Sequence, residues 1–406
     1  MKNRDETSST AKQSSSKPSR RSFLKTTGAT TFSVVALAGC SGDGGDGGGS
    51  GGGSSGDGSG DSGGSTGSAS DDLTEVNMVM PGTGFQGMMM NHVLEEGILE
   101  EEMSERGYTM NLQETFEGAA LFASGGPDFT TMSTFEAARL SAERDMNLAS
   151  FGRVAPNFMG WWVEKGGELD PQNSGSAQDS IEQLASGGGK VGIGSWAGGH
   201  VPPDAMIMDR VYDGYDFGEG KSDFSVVTAN YGAIPQLVLQ GDLAAGSTSP
   251  VHGVARQLDD SGKPKLVELF NAANILDEND FGVPLLNSLT TNQQFIEENE
   301  GACTALLQTW TRGMEWLFNN PMEKINQNQQ ENLELLHLEN TEQAQYLTDW
   351  GINMSMENEY PIVYQDVAWT ETKVEADKAF LSTAQDAGFI PDGYQDRLSW
   401  VKLPVE

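Results

Sequence analysis

The chain has 406 residues, of which 59 are Asp or Glu and 24 are Lys or Arg, for a net charge of −35 at neutral pH. Such a surface repels phosphate backbones and excludes nucleic acid as a partner; its self-repulsion is best tolerated in concentrated salt, as in a halophile's protein. Two cysteines and four histidines without paired spacing leave no disulfide framework and no zinc site of usual ligand spacing, so no metal or other cofactor is expected.

Residues 1–39 read as an address. Arg20-Arg21-Ser22-Phe23-Leu24-Lys25 resembles a twin-arginine export signal, and the weakly apolar run 28–39 ends in Leu37-Ala38-Gly39-Cys40, which resembles a lipobox. The run is too short to span a bilayer, which takes roughly 20 apolar residues. Cleavage before Cys40 would leave a lipid-bearing N-terminus, 17 bases and 57 acids, a net charge of −40. Residues 40–72 are almost wholly Gly, Ser and Asp, cannot offset chain entropy by burial, and predict a flexible tether reaching roughly 30 Å. The expected location is the outer face of the cytoplasmic membrane, with Cys40 carrying the lipid anchor.

The folded part is expected from Leu73. Val76-Asn77-Met78-Val79-Met80 predicts a strand, Pro81-Gly82-Thr83-Gly84 a turn, and 86–106 a helix. That helix would bury Met88, Met89, Met90, Val93, Leu94, Ile98 and Leu99 and wet Glu95, Glu96, Glu100, Glu101 and Glu102. A strand over 108–116 leads to the helix 118–124, a short strand, Ser133-Thr134 and a helix to Asp145. Further strands are expected at 148–153, 158–165, 190–196, 224–229, 266–271 and 282–289, and helices over 291–318 broken by Asn320-Pro321. Cys303, in an apolar helical stretch, reads as a small buried hydrophobe.

Gly118-Ala119-Ala120-Leu121-Phe122-Ala123-Ser124-Gly125-Gly126-Pro127-Asp128 and the hydroxyls after it are similar to the "ALASGxxD" segment of extracytoplasmic solute-binding proteins of ABC importers, in the nitrate, sulfonate, taurine and thiamine-precursor-binding group. Residues 237–250 repeat the order helix, Gly-Asp, strand, polar loop, and resemble that family's "LxxGxVDAxxxxxP"; Lys190-Val191-Gly192-Ile193-Gly194-Ser195-Trp196 is similar to its "GKxVGVxxGS". The family's "DLKGK" is represented here only by Leu184 and a glycine run before Lys190. The resemblance implies a two-lobed α/β fold of the type 2 periplasmic-binding-protein kind, each lobe a mainly parallel sheet flanked by helices. Residues 73–160 would begin the first lobe, 161–283 form the second, and 284–406 return to the first with a helical tail, hinged near 158–165 and 281–286.

The resemblance also implies that no catalysis occurs, and that a small solute is held between the lobes and delivered to an ABC permease in the membrane. By position at strand ends, the candidate contacts are Thr83, Phe85, Gln86, Ser133, Thr134, Ser195, Trp196, Asn230, Tyr231 and Thr248: hydroxyls and amides for oxygens, aromatics for the apolar part. Each could equally be a cap or core residue. Ser195 and the amides after it are expected at a helix N-terminus, which favours negative oxygens, and Trp161 and Trp162 read as hinge packing. Gly194 to His200 imitates a phosphate loop but puts His200 and Val201 where Lys and Ser or Thr are needed, and Ser195 with His200 lacks nucleophile-elbow spacing. The competing readings are a thiamine-pyrimidine-type biosynthetic enzyme on the same fold, against which export argues, and a structural surface lipoprotein, against which the lack of repeats argues.

Overall fold

The computed structural model describes residues 73–405, except 197, 213 and 356–358. Arg20, Arg21, Cys40 and the tether lie outside the described residues. In chain order the strands are β1 (Thr74–Met80), β2 (Tyr108–Glu114), β3 (Phe129–Met132), β4 (Leu148–Pro156), β5 (Gly160–Glu164), β6 (Lys190–Ile193), a short ribbon β7 (Phe217–Gly218) with β8 (Lys221–Ser222), β9 (Ser225–Thr228), β10 (Ala245–Thr248), β11 (Leu266–Asn271), β12 (Leu285–Asn292) and β13 (Leu398–Trp400). Two large sheets result, one ordered β13-β4-β12-β3-β1-β2 and the other β11-β5-β10-β6-β9.

Each sheet is mainly parallel, as expected, with one strand reversed. β1 runs parallel to β2 and β3, and β6 parallel to β9 and β10. The strands beside the crossings run the other way: β12 is antiparallel to β3 and β4, and β5 to β10 and β11. A strand that returns from the other lobe enters from the opposite end, which fixes this sense. The crossings are hydrogen-bonded to each other, with Asn157 N–H donating to Pro284 O (2.7 Å), Ala272 N–H to Met159 O (2.9 Å) and Ala273 N–H to Asn157 O (3.0 Å).

The helix expected over 86–106 is two helices, Gly84–Glu95 and Ile98–Ser104, because Gly97 takes a left-handed φ of +73° between them. The break changes which side chains are buried. Leu94, expected inside, is exposed, and Glu102, expected in water, is buried, where it accepts from Arg106 (2.8 Å) and Arg312 (2.7 Å). Cys303 is buried in the long helix Glu300–Phe318, which packs its Leu306, Trp310, Met314 and Leu317 on the first sheet's core.

The tail does more than pack on the first lobe. β13 adds an edge strand parallel to β4, and the helix Glu371–Asp386 buries Asp377 against Thr134 Oγ1 (2.7 Å) and Trp400 Nε1 (2.7 Å). Among the described residues no helix is long and apolar enough to cross a membrane.

Candidate functional site

A cavity of about 240 Å³ lies between the two sheets, and both lobes, both crossings and the tail line it. From the first lobe come the start of the helix Gly84–Glu95, the ends of β2 and β3, and Glu136. Gly199, His200, Tyr231 and His252 come from the second, Phe158, Met159, Leu286 and Asn287 from the crossings, and Ile362 and Val363 from the tail. Phe116, just beyond β2, is 77% exposed and stands at its rim.

The first wall follows from the glycine turn after β1. Gly84 takes φ +71°, which a side chain resists, and the helix starts there with Thr83 as an N-cap whose side chain caps nothing. The first-turn amides therefore keep their donors toward the cavity. At the end of β3 the next helix, Thr134–Glu143, is closed by a capping box: Glu136 N–H donates to Ser133 Oγ (3.0 Å), and Ser133 N–H donates to Glu136 Oε2 (3.1 Å). Burial raises the Glu136 pKa above the usual carboxylate range, opposed by the Ser133 hydrogen bonds and by Arg139.

The second wall is a row of rings. Tyr231 meets His200 edge-on (5.3 Å between centroids) and His252 at a tilt (5.4 Å), and His252 stacks on Phe158 (6.2 Å). The Tyr231 hydroxyl lies 3.1 Å from His200 Nδ1; as donor there, it leaves the imidazole hydrogen on Nε2. The glycines that imitate a phosphate loop serve this packing. A Cβ on Gly194 would collide with the Tyr231 ring, and one on Gly198 would stand 2.6 Å from its hydroxyl. Burial lowers the pKa of His200 to about 3 and that of His252 to about 4, so both are neutral near pH 7.

Three buried polar atoms on these walls have no hydrogen-bond partner among the described residues: Gln86 Oε1, Thr131 Oγ1 and His200 Nε2. Their residues are 8%, 6% and 3% exposed, too little for bulk water to satisfy them. Buried polar atoms are almost always paired, and three unpaired ones on one cavity, drawn from both lobes, suit a polar guest.

Of the residues expected at the site, Thr83, Phe85, Gln86 and Tyr231 line this cavity. Ser133 is the capping residue behind Glu136, and Thr134 is turned away to Asp377. Ser195 is exposed, and it does not begin a helix: with Pro202 and Pro203 in its first turn, the helix Val201–Arg210 starts at the N-cap His200. Trp196 packs on Phe217 (5.3 Å between centroids) outside the lining. Asn230 is exposed and caps the turn Tyr231–Ala233 by accepting from Gly232 N–H (3.0 Å). Thr248 is buried and donates to His252 O (3.3 Å). Trp161 sits in a hydrophobic cluster that also takes in first-lobe and tail residues such as Phe135, Leu148 and Phe380, and Trp162 in a separate one of the second lobe.

Thr131, Glu136, His252, Phe116 and Phe158 also line the cavity, beyond the residues expected there, as does His200, whose place in the sequence suggests only an incomplete phosphate loop. The legible signal was that two of four histidines follow a glycine loop or a strand end in the second lobe.

No protein-family model matches the chain, and no curated protein matches it. Solved structures do. The alkanesulfonate-binding protein SsuA from Xanthomonas axonopodis pv. citri, bound to MOPS, aligns at TM-score 0.55 with 10% identity over 81% of this chain and 99% of its own. The periplasmic aliphatic sulphonate binding protein SsuA from Escherichia coli gives 0.55 and 13% over 82% and 94%. The periplasmic nitrate-binding protein NrtA from Synechocystis PCC 6803 gives 0.50 and 12% over 81% and 86%. The fold of this chain is the two-lobed periplasmic-binding-protein fold.

Proposed function

From a fold shared with binding proteins for sulfonates and nitrate, we propose that this protein captures a small solute between its lobes and delivers it to the permease of an ABC importer. The observation that carries the reading is the cavity with its three unpaired buried atoms, Gln86 and Thr131 on one lobe and His200 on the other. A solute that pairs all three would hold the lobes together, and a closed pair of lobes is a shape a permease can distinguish from an open one. Nothing in the arrangement calls for catalysis. His200 Nδ1 faces Tyr231 rather than Ser195, and burial keeps its imidazole neutral, so the serine–histidine reading loses its base.

Thermal-shift screening of the full chain against sulfonates, nitrate, taurine, pyrimidines and small amides tests this. A solute at about 100 times its Kd stabilises by about 2.7 kcal/mol. His200→Ala should weaken whichever solute responds by roughly two- to tenfold, the worth of one neutral hydrogen bond. A solute that binds the variant as tightly as the parent does not occupy this cavity.

The protein works, in this reading, as an exported lipoprotein held by Cys40 at the outer face of the cytoplasmic membrane. Cys40→Ser should then release a folded protein from membranes. Fractionation with a high-salt wash checks it, and a variant still sedimenting with membranes would refute the anchor.

A further inference from the structure

The cavity's charge is at odds with an oxyanion guest. Among its described lining residues none is Lys or Arg, and its ionisable groups are His200, His252, Tyr231 and Glu136. His200 is buried and His252 half-buried, and both are neutral. The positive potential available is that of helix starts, worth roughly half a charge each and fading within a turn. One of them, at Ser133, is already occupied by the Glu136 carboxyl, and those at Gly84 and at the N-cap His200 together do no more than balance one carboxylate.

Hydrogen-bond chemistry points the same way. An ionised Glu136 can only accept, as does Gln86 Oε1, while Thr131 does either, and His200 Nε2 donates when Tyr231 is the donor to Nδ1. Nitrate and simple alkanesulfonates offer acceptors alone. Gln86 can turn its amide to suit them; Glu136 can do so only by keeping a proton, which burial favours and the Ser133 donors to its carboxyl oppose. Gly199 of the opposite lobe faces that carboxyl: a Cβ there would lie 3.5 Å from Glu136 Oε2, at ordinary contact distance.

We propose that the cleft selects a small solute with N–H donors and no net negative charge, a neutral or cationic amide, amidine or amino-heterocycle, and that Glu136 makes the selection. The size follows from volume: a cavity of about 150 Å³ holds benzene, so about 240 Å³ takes one ring with a substituent. The inference rests on the cleft being the solute site.

The test is calorimetric titration of the full chain with sets matched in shape and differing in charge: benzoate, benzamide and benzamidinium; acetate, acetamide and acetamidinium; with nitrate and ethanesulfonate alongside. In at least one set the amide or amidinium should bind, and its carboxylate at least about tenfold more weakly, since like charges across a contact cost several kcal/mol. Glu136→Gln preserves the capping box, which accepts either residue, and should erase the advantage of the amidinium over the amide. Circular dichroism checks the fold of the variant.

A carboxylate, nitrate or ethanesulfonate that binds more tightly than its neutral and cationic counterparts would overturn the proposal while leaving solute capture intact. So would a ranking unchanged by Glu136→Gln. If every probe fails but the broader screen finds a solute of other chemistry, this selection is wrong and the binding function stands. If neither finds one, both fall.

Discussion

Trp161→Ala is expected to destabilise the second lobe by about 3 to 5 kcal/mol, the range for emptying a buried tryptophan site. Trp161 is fully buried on β5 and meets Phe224, Phe217 and Phe270 at 5.1, 5.3 and 5.8 Å between centroids. Its Nε1–H donates to Asp204 Oδ2 (3.1 Å), which Ser247 also reaches (2.8 Å). Removing it opens a cavity and takes one of two donors from a buried acid whose other oxygen, Oδ1, has no partner among the described residues. Trp161→Phe should cost less, because it keeps most of the ring and loses chiefly the hydrogen bond. Urea unfolding followed by circular dichroism measures both, and a loss under about 1 kcal/mol for the alanine variant would mean that β5 is not the core of this lobe.

Stability should also fall as pH rises from about 6.5 to about 8. Burial raises the pKa of Asp204 to about 7, of Glu268 to about 8 and of Asp377 to about 7. For a carboxyl raised above its unfolded value, the folded state holds the proton that the unfolded state has given up. Its contribution is complete below about pH 4 and is lost as pH rises through 7 to 8. His200 and His252 have the opposite sense, since their lowered pKa values make stability fall as pH drops below about 6.5. The two sets oppose each other between about pH 4 and 6.5, and above that the acids act alone, at up to about 1.4 kcal/mol per acid per pH unit.

The melting temperature should therefore be lower at about pH 8.5 than at about pH 6.5. Asp377→Asn should flatten the slope, since its amide can accept from Trp400 Nε1 and donate to Thr134 Oγ1, the two groups that Asp377 now meets. A melting temperature that holds or rises over this window would show that these acids ionise without cost.

Strand order was legible because it is written locally. The apolar run before Pro81-Gly82-Thr83-Gly84 became β1, and Lys190-Val191-Gly192-Ile193 became β6. The helix break at Gly97 was missed although the glycine was in view, since a glycine inside a helical pattern is tolerated as often as it ends one. Leu94 and Glu102 were assigned to the wrong sides for that reason alone. The start at His200 was likewise readable in Pro202 and Pro203, had the preference of proline for a first helical turn outweighed the likeness of Ser195 to a family position.

By itself, then, the sequence determined the acidic charge, the two-lobed α/β plan and four of the cavity's wall residues, Thr83, Phe85, Gln86 and Tyr231, because charge is a sum over residues and strand-end turns are marked by their own glycines. Tertiary structure alone decided what faces the cavity and what is held elsewhere. Thr134 is committed to Asp377, 243 positions away, and Glu136, Tyr231, His200 and Ile362 meet around one space although no local pattern links them. The hydroxyl of a candidate serine or threonine looks the same in sequence whether it faces a solute, a cap or a buried acid. Only the packing of distant segments gives it one partner and denies it the others.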